Sequence, residues 1–359
     1  MTPDRSDTKI GIVGLGNIGQ YHAERLRDLD VSLVGGMDVA AEARTRFARR
    51  YDVDVYEDHT ELYDLVDAVI ITTPNRYHEQ YAVDAFERDL HVLLEKPLAH
   101  SIESAERIAD AAADSAGFCM VGFNNRFANT VRIVKNRIDR GDLGEVGHIE
   151  ANYVRRRGIP GRGSWFTRRD IAGGGALIDL GVHAVDLALY LLGYPDVVEV
   201  NGVTRGEFGG REEYAYLDMW ADDAGPAGFD VDDSATAFVR CEGNRTIALE
   251  VAWATNRPAN HEFLVRGTES AARFDLLEGD LSFHSASNIG PDHLEDTSIE
   301  TRQNDTHTDE QKAFFDVITG EEYQNEAVSD SIERALKVQR TIDAIYQSSE
   351  EERTVSLRE

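Results

Sequence analysis

Apolar positions along this chain follow two different rhythms. Up to about residue 122, short β-rich runs (Ile10–Val13, Val31–Met37, Val53–Tyr56, Asp67–Ile71, His91–Leu94 and Phe118–Gly122) alternate with helical periodicity. The helical stretches are Tyr21–Leu29, Ala40–Tyr51, Glu61–Leu65, Tyr77–Arg88 and Ser101–Ala113, the last with Ser101 and Ser104 as candidate caps. Strict alternation predicts an α/β fold with a parallel, doubly wound sheet that closes near residue 124. After it come a helix over Ala128–Arg140, an alternating strand over Val146–Arg155 and an apolar helix over Asp179–Leu192. Six β-rich runs then follow without helices between them: VVEVNGVTRG, YAYLDMWA, SATAFVRC, TIALEVAWA, HEFLVRG and ARFDLLEG. They predict a mostly antiparallel sheet. Two amphipathic helices, Asp309–Thr319 and Ser331–Tyr346, follow, and SSEEERTVSLRE is a frayed end with one short strand.

The first βαβ unit, Lys9 to Asp38, carries the clearest chemistry. Its strand runs into Gly14-Leu15-Gly16-Asn17-Ile18-Gly19, then a helix, then a strand ending on Asp38. Gly14 allows the tight turn, Gly16 lets backbone approach a pyrophosphate, and Gly19 lets helix pack on strand. The helix N-terminus at Asn17 and Ile18 offers free N–H groups to phosphate. Glycines also serve ordinary turns, but with both strands and the terminal acid in place the pattern predicts a dinucleotide site. A carboxylate at Asp38 suits a ribose diol and repels an extra phosphate, so NAD is expected ahead of NADP. Arg44 and Arg46 read as a solvated helix face that could also swing toward such a phosphate.

Composition narrows the classes. The chain has 359 residues, 66 acidic against 37 basic, for a formal charge of −29. Such a field disfavours nucleic acid and anionic membrane surfaces as partners. Only five residues are lysine, so arginine supplies nearly all the positive charge. The pattern is similar to that of proteins from salt-loving microbes. No apolar run approaches the roughly 20 residues of a membrane span, and MTPDRSDTKI lacks the apolar core of a leader. With Cys119 and Cys241 the only cysteines, a reducing cytoplasm is expected and a disulfide framework is not.

Ligands of open α/β sheets bind beyond the carboxyl ends of the strands. Two further strand ends there are polar: Thr72-Thr73-Pro74-Asn75 with His78 following, and Glu95-Lys96-Pro97. Thr73, Pro74, Asn75, His78, Glu95 and Lys96 are therefore expected around the nucleotide. Asn75 reads equally as a helix cap, His78 as a helix residue and Lys96 as an ion-pair partner. The second cluster is GGGALIDLGVHAVD, residues 173–186, whose glycines let backbone approach a ligand. Asp179 and His183 are four apart and share a helical face, with Asp186 near it. A histidine takes a proton near neutral pH, and a carboxylate one turn away can orient it. A merely polar helix face is the bland alternative. No Cys/His set completes a zinc site, so no metal is expected.

GLGNIG, ITTPNRYH, LLEKPLA, VGFNNRF and GGGALIDLGVHAVDLALYLLG, in that order, resemble the glucose–fructose oxidoreductase/inositol dehydrogenase/MocA family along essentially the whole chain. The resemblance implies an N-terminal Rossmann domain over residues 1–124. It implies a substrate-binding and oligomerisation domain over 125–359, whose large open sheet joins homodimers or homotetramers and whose last helices pack back on the first domain. The implied activity is NAD(P)-dependent oxidation of a sugar, sugar derivative or cyclitol hydroxyl. In it Lys96 polarises the hydroxyl, Asp179 holds substrate and His183 acts as base, with Asn124 and Arg126 beside cofactor and substrate. Trp165 is followed by Phe166 where many relatives carry arginine. Arg155 and Arg157, on one face of a strand, either bind substrate or balance an acidic surface. An NAD-dependent glycosidase and a ligand-sensing regulator remain the alternatives within this fold.

Overall fold

The computed structural model describes residues 5–217, 219, 222–320, 328 and 331–358. Its chain divides into two compact units, one of residues 1–124 with 305–339 and one of 125–304 with 340–359.

The first unit is the alternating region. Its strands are β1 (Lys9–Val13), β2 (Ser32–Met37), β3 (Asp54–Tyr56), β4 (Ala68–Ile71), β5 (His91–Glu95) and β6 (Cys119–Gly122). All pair in parallel, in the order β3-β2-β1-β4-β5-β6. The helices are α1 (Asn17–Leu26), α2 (Ala41–Tyr51), α3 (His59–Tyr63), α4 (His78–Phe86) and α5 (Ile102–Asp114). Sheet strands covered on both faces must be apolar throughout, and Ile10, Ile12, Val13 and Ala68 to Ile71 are all fully buried. The Ser101 hydroxyl accepts from the Ser104 N–H and caps α5 as its position suggested.

The second unit begins with α6 (Asn129–Asp139), β7 (His148–Val154) and α7 (Arg169–Ala172), followed by a π-helical turn, Leu177–Gly181, and α8 (Val182–Leu191). Then come β8 (Val197–Arg205), β9 (Ser234–Cys241), β10 (Thr246–Ala252), β11 (Glu262–Arg266), β12 (Ala271–Asp275), β13 (Leu281–Ser287) and β14 (His293–Ile299). The helix α9 (Thr306–Ile318) and the start of α10 (Ser331–Glu351) belong to the first unit, and the rest of α10 with the strand β15 (Val355–Ser356) to the second. Nine strands form one sheet, β14-β13-β12-β11-β7-β10-β9-β8-β15, antiparallel except where β10 meets β7. Alternation explains most of it: Ile149, Ala151 and Tyr153 of β7 are buried and the residues between them are not.

Several expectations need correction. Of YAYLDMWA, residues 214–217 form no strand, and residues 218, 220 and 221 lie outside the described residues. Tyr214 instead lies 4.6 Å from the guanidinium of Arg162, which is 3% exposed and donates to Asp223 at 2.8 and 2.9 Å. The edge strand β14 was not anticipated, because six of its seven residues are exposed and no inward face imposes alternation. One helical stretch, Arg169–Leu191, is long and apolar enough to cross a membrane, contrary to expectation. Its most apolar part is 89% buried within the protein, so that apolarity serves a core.

The glycine run also has a different purpose from the one expected. A Cβ on Gly174 would sit 2.0 Å from the Tyr346 hydroxyl, and one on Gly175 would sit 1.8 Å from the Asp232 carbonyl. These glycines admit α10 and the Asp232 loop rather than a ligand. Asp232 is 4% exposed and accepts from the N–H groups of Gly175 and Leu177 and from the Tyr346 hydroxyl, each at 2.8 Å. That carboxylate anchors the entry to the π turn. Asp232→Ala orphans three buried donors and should destabilise the fold by about 3 kcal/mol in chemical denaturation, Tyr346→Phe by only about 1 kcal/mol. Equal stability of Asp232→Ala and the parent protein would refute this role.

Candidate active site

In the first unit the glycine loop is built as a dinucleotide site requires. Gly14 has φ +95°, and a Cβ there would meet the Thr72 backbone at 2.9 Å. A Cβ on Gly19 would meet the Gly14 carbonyl at 2.0 Å, whereas around Gly16 nothing lies within 4 Å. The loop is thus tight where it packs and open where a pyrophosphate would lie. No side chain caps α1, whose first turn at Asn17 and Ile18 faces the glycine loop where an anion would be received.

Asp38 stands just beyond β2, and its two carboxylate oxygens accept from the N–H groups of Leu15 (2.7 Å) and Ala40 (2.8 Å). A carboxylate has about four acceptor sites, so two remain for a ribose diol. Arg44 is not a solvated residue: it donates to the Asp38 carbonyl at 2.7 Å and pairs with Glu57. The Thr73 hydroxyl, at the β4 strand end, is buried and has no hydrogen-bond partner among the described residues. An open glycine, an uncapped helix start and an orphaned hydroxyl together fit a nicotinamide dinucleotide.

Other predicted nucleotide contacts are internal braces. Asn75 lies within a 3-10 turn and is 7% exposed, so it is no helix cap. His78 is 1% exposed, with ring nitrogens 2.9 Å from the carbonyls of Pro97 and Thr73. It ties the β4 strand end and Pro74 to the Lys96–Pro97 peptide, which is cis. Burial depresses its pKa, while the two carbonyls pull the other way.

Glu95 also points inward, against expectation. Its carboxylate meets His22 Nε2 at 2.7 Å and accepts from the Lys96 N–H at 3.2 Å. The amide nitrogen of Gln311 contacts both His22 Nδ1 (2.7 Å) and the His22 carbonyl (3.3 Å). Both contacts require it to donate, which assigns the His22 proton to Nε2, facing Glu95. Burial alone would raise the Glu95 pKa, but His22, His307 and Lys96 reverse that and hold it at about 2. His307 is held at about 4, chiefly by burial. Asn124 does not present its amide nitrogen to substrate: it donates to Thr306 at 2.7 Å and contacts His307 Nδ1 at 3.3 Å. Lys96, half-buried, follows Glu95 directly.

The second unit holds the other set. Asp179 lies in the π turn rather than in a regular helix, and π turns recur at functional sites. Its carboxylate accepts from the indole N–H of Trp253 at 2.8 Å, and Trp253 is fully buried at the end of β10. His183, on α8, lies with its ring centre 6.3 Å from that of Tyr153, which in turn meets His261 edge-on at 5.3 Å. Asp186 is engaged elsewhere: with Arg126 it forms a buried two-point ion pair, and Tyr194 adds a bond at 3.1 Å. Arg126 is 2% exposed, so its guanidinium is committed to this pair instead of a ligand. Trp165 stacks on Phe166 at 3.8 Å. Arg155 and Arg157 lie just past β7; Arg157 donates to the carbonyls of Thr255 and Arg156 and packs on Phe208. Among the described residues no His/Cys/Asp/Glu group is arranged to hold a metal.

Sequence reasoning missed His22, Gln311, Trp253 and Asp232. His22 and Gln311 sit on amphipathic helices where one polar residue looks unremarkable, and Trp253 continues an apolar strand run. The aspartate pair 232–233, just before a β run, was the only available signal.

Residues 8–123 match the family model described as an oxidoreductase family with an NAD-binding Rossmann fold, and residues 131–273 match the GFO/IDH/MocA C-terminal domain. The chain is 27% identical over 353 residues to D-glucoside 3-dehydrogenase of Escherichia coli, covering 96% of each. It is 30% identical over 241 residues to scyllo-inositol 2-dehydrogenase (NAD(+)) of Bacillus subtilis, covering 64% of this chain and 68% of that one. Among solved structures, levoglucosan dehydrogenase with NADH and levoglucosan gives a TM-score of 0.84 at 23% identity, covering 98% and 100%. GenD2 from gentamicin A biosynthesis, with NAD, gives 0.79 at 26%, covering 100% and 98%.

The buried network around Glu95 gives the first unit an acid-labile signature. His307 takes up a proton at its usual 6.5 when unfolded but only near 4 when folded. Its contribution to stability is therefore complete above about pH 6.5 and lost on descending toward 4. Glu95, lowered from 4.5 to about 2, contributes fully above 4.5 and loses that contribution between 4.5 and 2. Denaturation midpoints measured from pH 7 to 3 should fall throughout, and His307→Gln should flatten the part between pH 6.5 and 4. An unaltered profile in His307→Gln would remove the assignment.

Proposed function

This chain belongs to the glucose–fructose oxidoreductase/inositol dehydrogenase/MocA family, and from that premise we propose how it works. It is an NAD-dependent oxidoreductase acting on the CH–OH groups of sugars or cyclitols. We assign His183 as the base that removes the hydroxyl proton and Lys96 as the donor that polarises the same oxygen. Asp179 orients the substrate. The observation that carries these roles is the carboxylate of Asp179, turned out of regular helix by a π turn and fixed by a buried indole N–H next to the helix that bears His183. A group held that rigidly needs no reorganisation as charge develops on the substrate.

NAD, when bound, supplies the hydride acceptor. Everything else falls to the chain's own residues. The loop from Gly14 to Gly19 and the start of α1 would receive the pyrophosphate, and Asp38 the ribose diol. Asp38 supports NAD over NADP by repelling a 2′-phosphate, though Arg44 beside its carbonyl softens that repulsion. The large sheet leaves Val203 and Phe238 each 45% exposed, which supports a role for it in joining copies into a dimer or tetramer.

The testing assay is nicotinamide absorbance with NAD and NADP in parallel, across aldoses, cyclitols and glycosides. Lys96→Ala and His183→Ala should each lower kcat by about 100-fold or more while the Kd for NAD stays within a few-fold. Unchanged turnover in both variants would overturn the assignment. A −29 charge repels itself, so raising KCl toward about 2 M should raise both stability and activity.

A further inference from the structure

Three consecutive arginines, Arg155 to Arg157, stand out in a chain with 66 acidic and 37 basic residues. Several arginines of the second unit have carboxylate partners, Arg162 with Asp223, Arg240 with Glu199, Arg257 with Glu250 and Arg273 with Glu262, while Arg205 and Arg245 bond to Thr236 and the Leu192 carbonyl. The hydrogen bonds of Arg155, Arg156 and Arg157 run to backbone carbonyls and the Asn256 amide, with no carboxylate among the described residues. The three differ in what they do. Arg157 is held by carbonyls, by Asn256 and by the ring of Phe208, and Arg156 is exposed, bonded to the Arg257 carbonyl. Arg155 is half-buried, with one long bond of 3.3 Å to the Gly158 carbonyl.

Its surroundings point toward the reacting residues. The Arg155 guanidinium lies 5.7 Å from the centre of the Tyr153 ring, which also contacts the rings of His183 and His261. His261 Nε2 is buried and has no hydrogen-bond partner among the described residues. Burial lowers the His261 pKa, Asp275 opposes this, and Arg155 is close enough to add to the lowering. A half-buried guanidinium and an unpartnered imidazole nitrogen share one aromatic neighbour with the proposed base. Partly desolvating a guanidinium without a counter-charge is unfavourable, and abundant carboxylates were available to supply one.

We infer that Arg155, with His261 beside it, receives an anionic substituent of the substrate, a carboxylate or phosphate monoester carried by the sugar. This rests on the dehydrogenase reading above and narrows it to acidic sugars. Arginine's planar fork matches both anions, and a charge-assisted two-point contact gives about 10- to 100-fold in affinity.

The test compares a neutral hexose with the matching hexuronate and hexose 6-phosphate, at the lowest salt that keeps the protein folded. Both kcat/KM and calorimetric binding to the NADH-loaded protein are measured. The parent protein should favour one charged sugar over the neutral one, and Arg155→Gln should lower that ratio about 10- to 100-fold, mainly through KM. Arg155→Lys should restore part of it, and Arg156→Gln should leave it unaltered. Preference for the uronate or for the phosphate tells which anion is read. A parent protein that binds neutral and charged sugars alike would overturn the inference while leaving the dehydrogenase intact. So would an Arg155→Gln variant that changes oligomeric state but not the ratio. Charged-sugar binding that depends on Arg155, without nicotinamide reduction by any sugar, would keep the subsite and sink the dehydrogenase reading instead.

Discussion

A single part-buried carboxylate organises the first unit. Glu95 ends the strand that leads into Lys96, and its charge is stabilised by His22, from the helix that follows the glycine loop. His22 in turn is held by Gln311 from α9, a helix nearly 300 residues away in sequence. An ionised carboxylate with so little exposure is tolerable only if its bonds are made in full. The glycine-loop helix, the Lys96 strand end and α9 are therefore positioned by one requirement. Arg25 and Asp305 repeat the tie at the surface, with two bonds of 2.9 and 2.6 Å between α1 and the start of α9.

The second unit meets the same requirement with different means. Asp232, Asp186 and Asp179 all lie in or beside the apolar helical stretch 169–191, and each is bound to a different partner set. Backbone N–H groups and a tyrosine serve Asp232, an arginine serves Asp186, and an indole N–H serves Asp179. Each acid is thus fixed by partners of a different chemical kind.

The parallel sheet was legible because the middle of a strand buried on both faces has no choice but to be apolar, as β4 is throughout and as β1 and β5 are at Ile10 to Val13 and Val92 to Leu94. The antiparallel sheet was legible where one face is buried, as in β7 and β10, and invisible where neither face is, as in β14. The π turn could not be read at all: LIDLG has ordinary helical composition, and its irregularity comes from Asp232 seizing the N–H groups of Gly175 and Leu177. Site residues divided the same way. Gly14, Gly16, Gly19 and Asp38 carry their roles in local spacing. The true occupations of His78, Glu95, Asn124 and Arg126 depend on partners brought from distant parts of the chain, Pro97, His22, Thr306 and Asp186, which no local pattern displays.

The division of the chain into residues 1–124 with 305–339 and 125–304 with 340–359 makes both units discontinuous. A fragment ending at residue 124 would lack Gln311 and the N-terminus of α9, stranding His22 and Asn124 without their partners. Recombining this protein with a relative therefore takes three crossovers rather than one, the last of them inside the continuous helix α10. Modular swapping at the obvious boundary would yield chimaeras whose nucleotide-binding half is assembled from mismatched pieces. Inheritance of one unit is thereby linked to that of the other through the residues beyond 304.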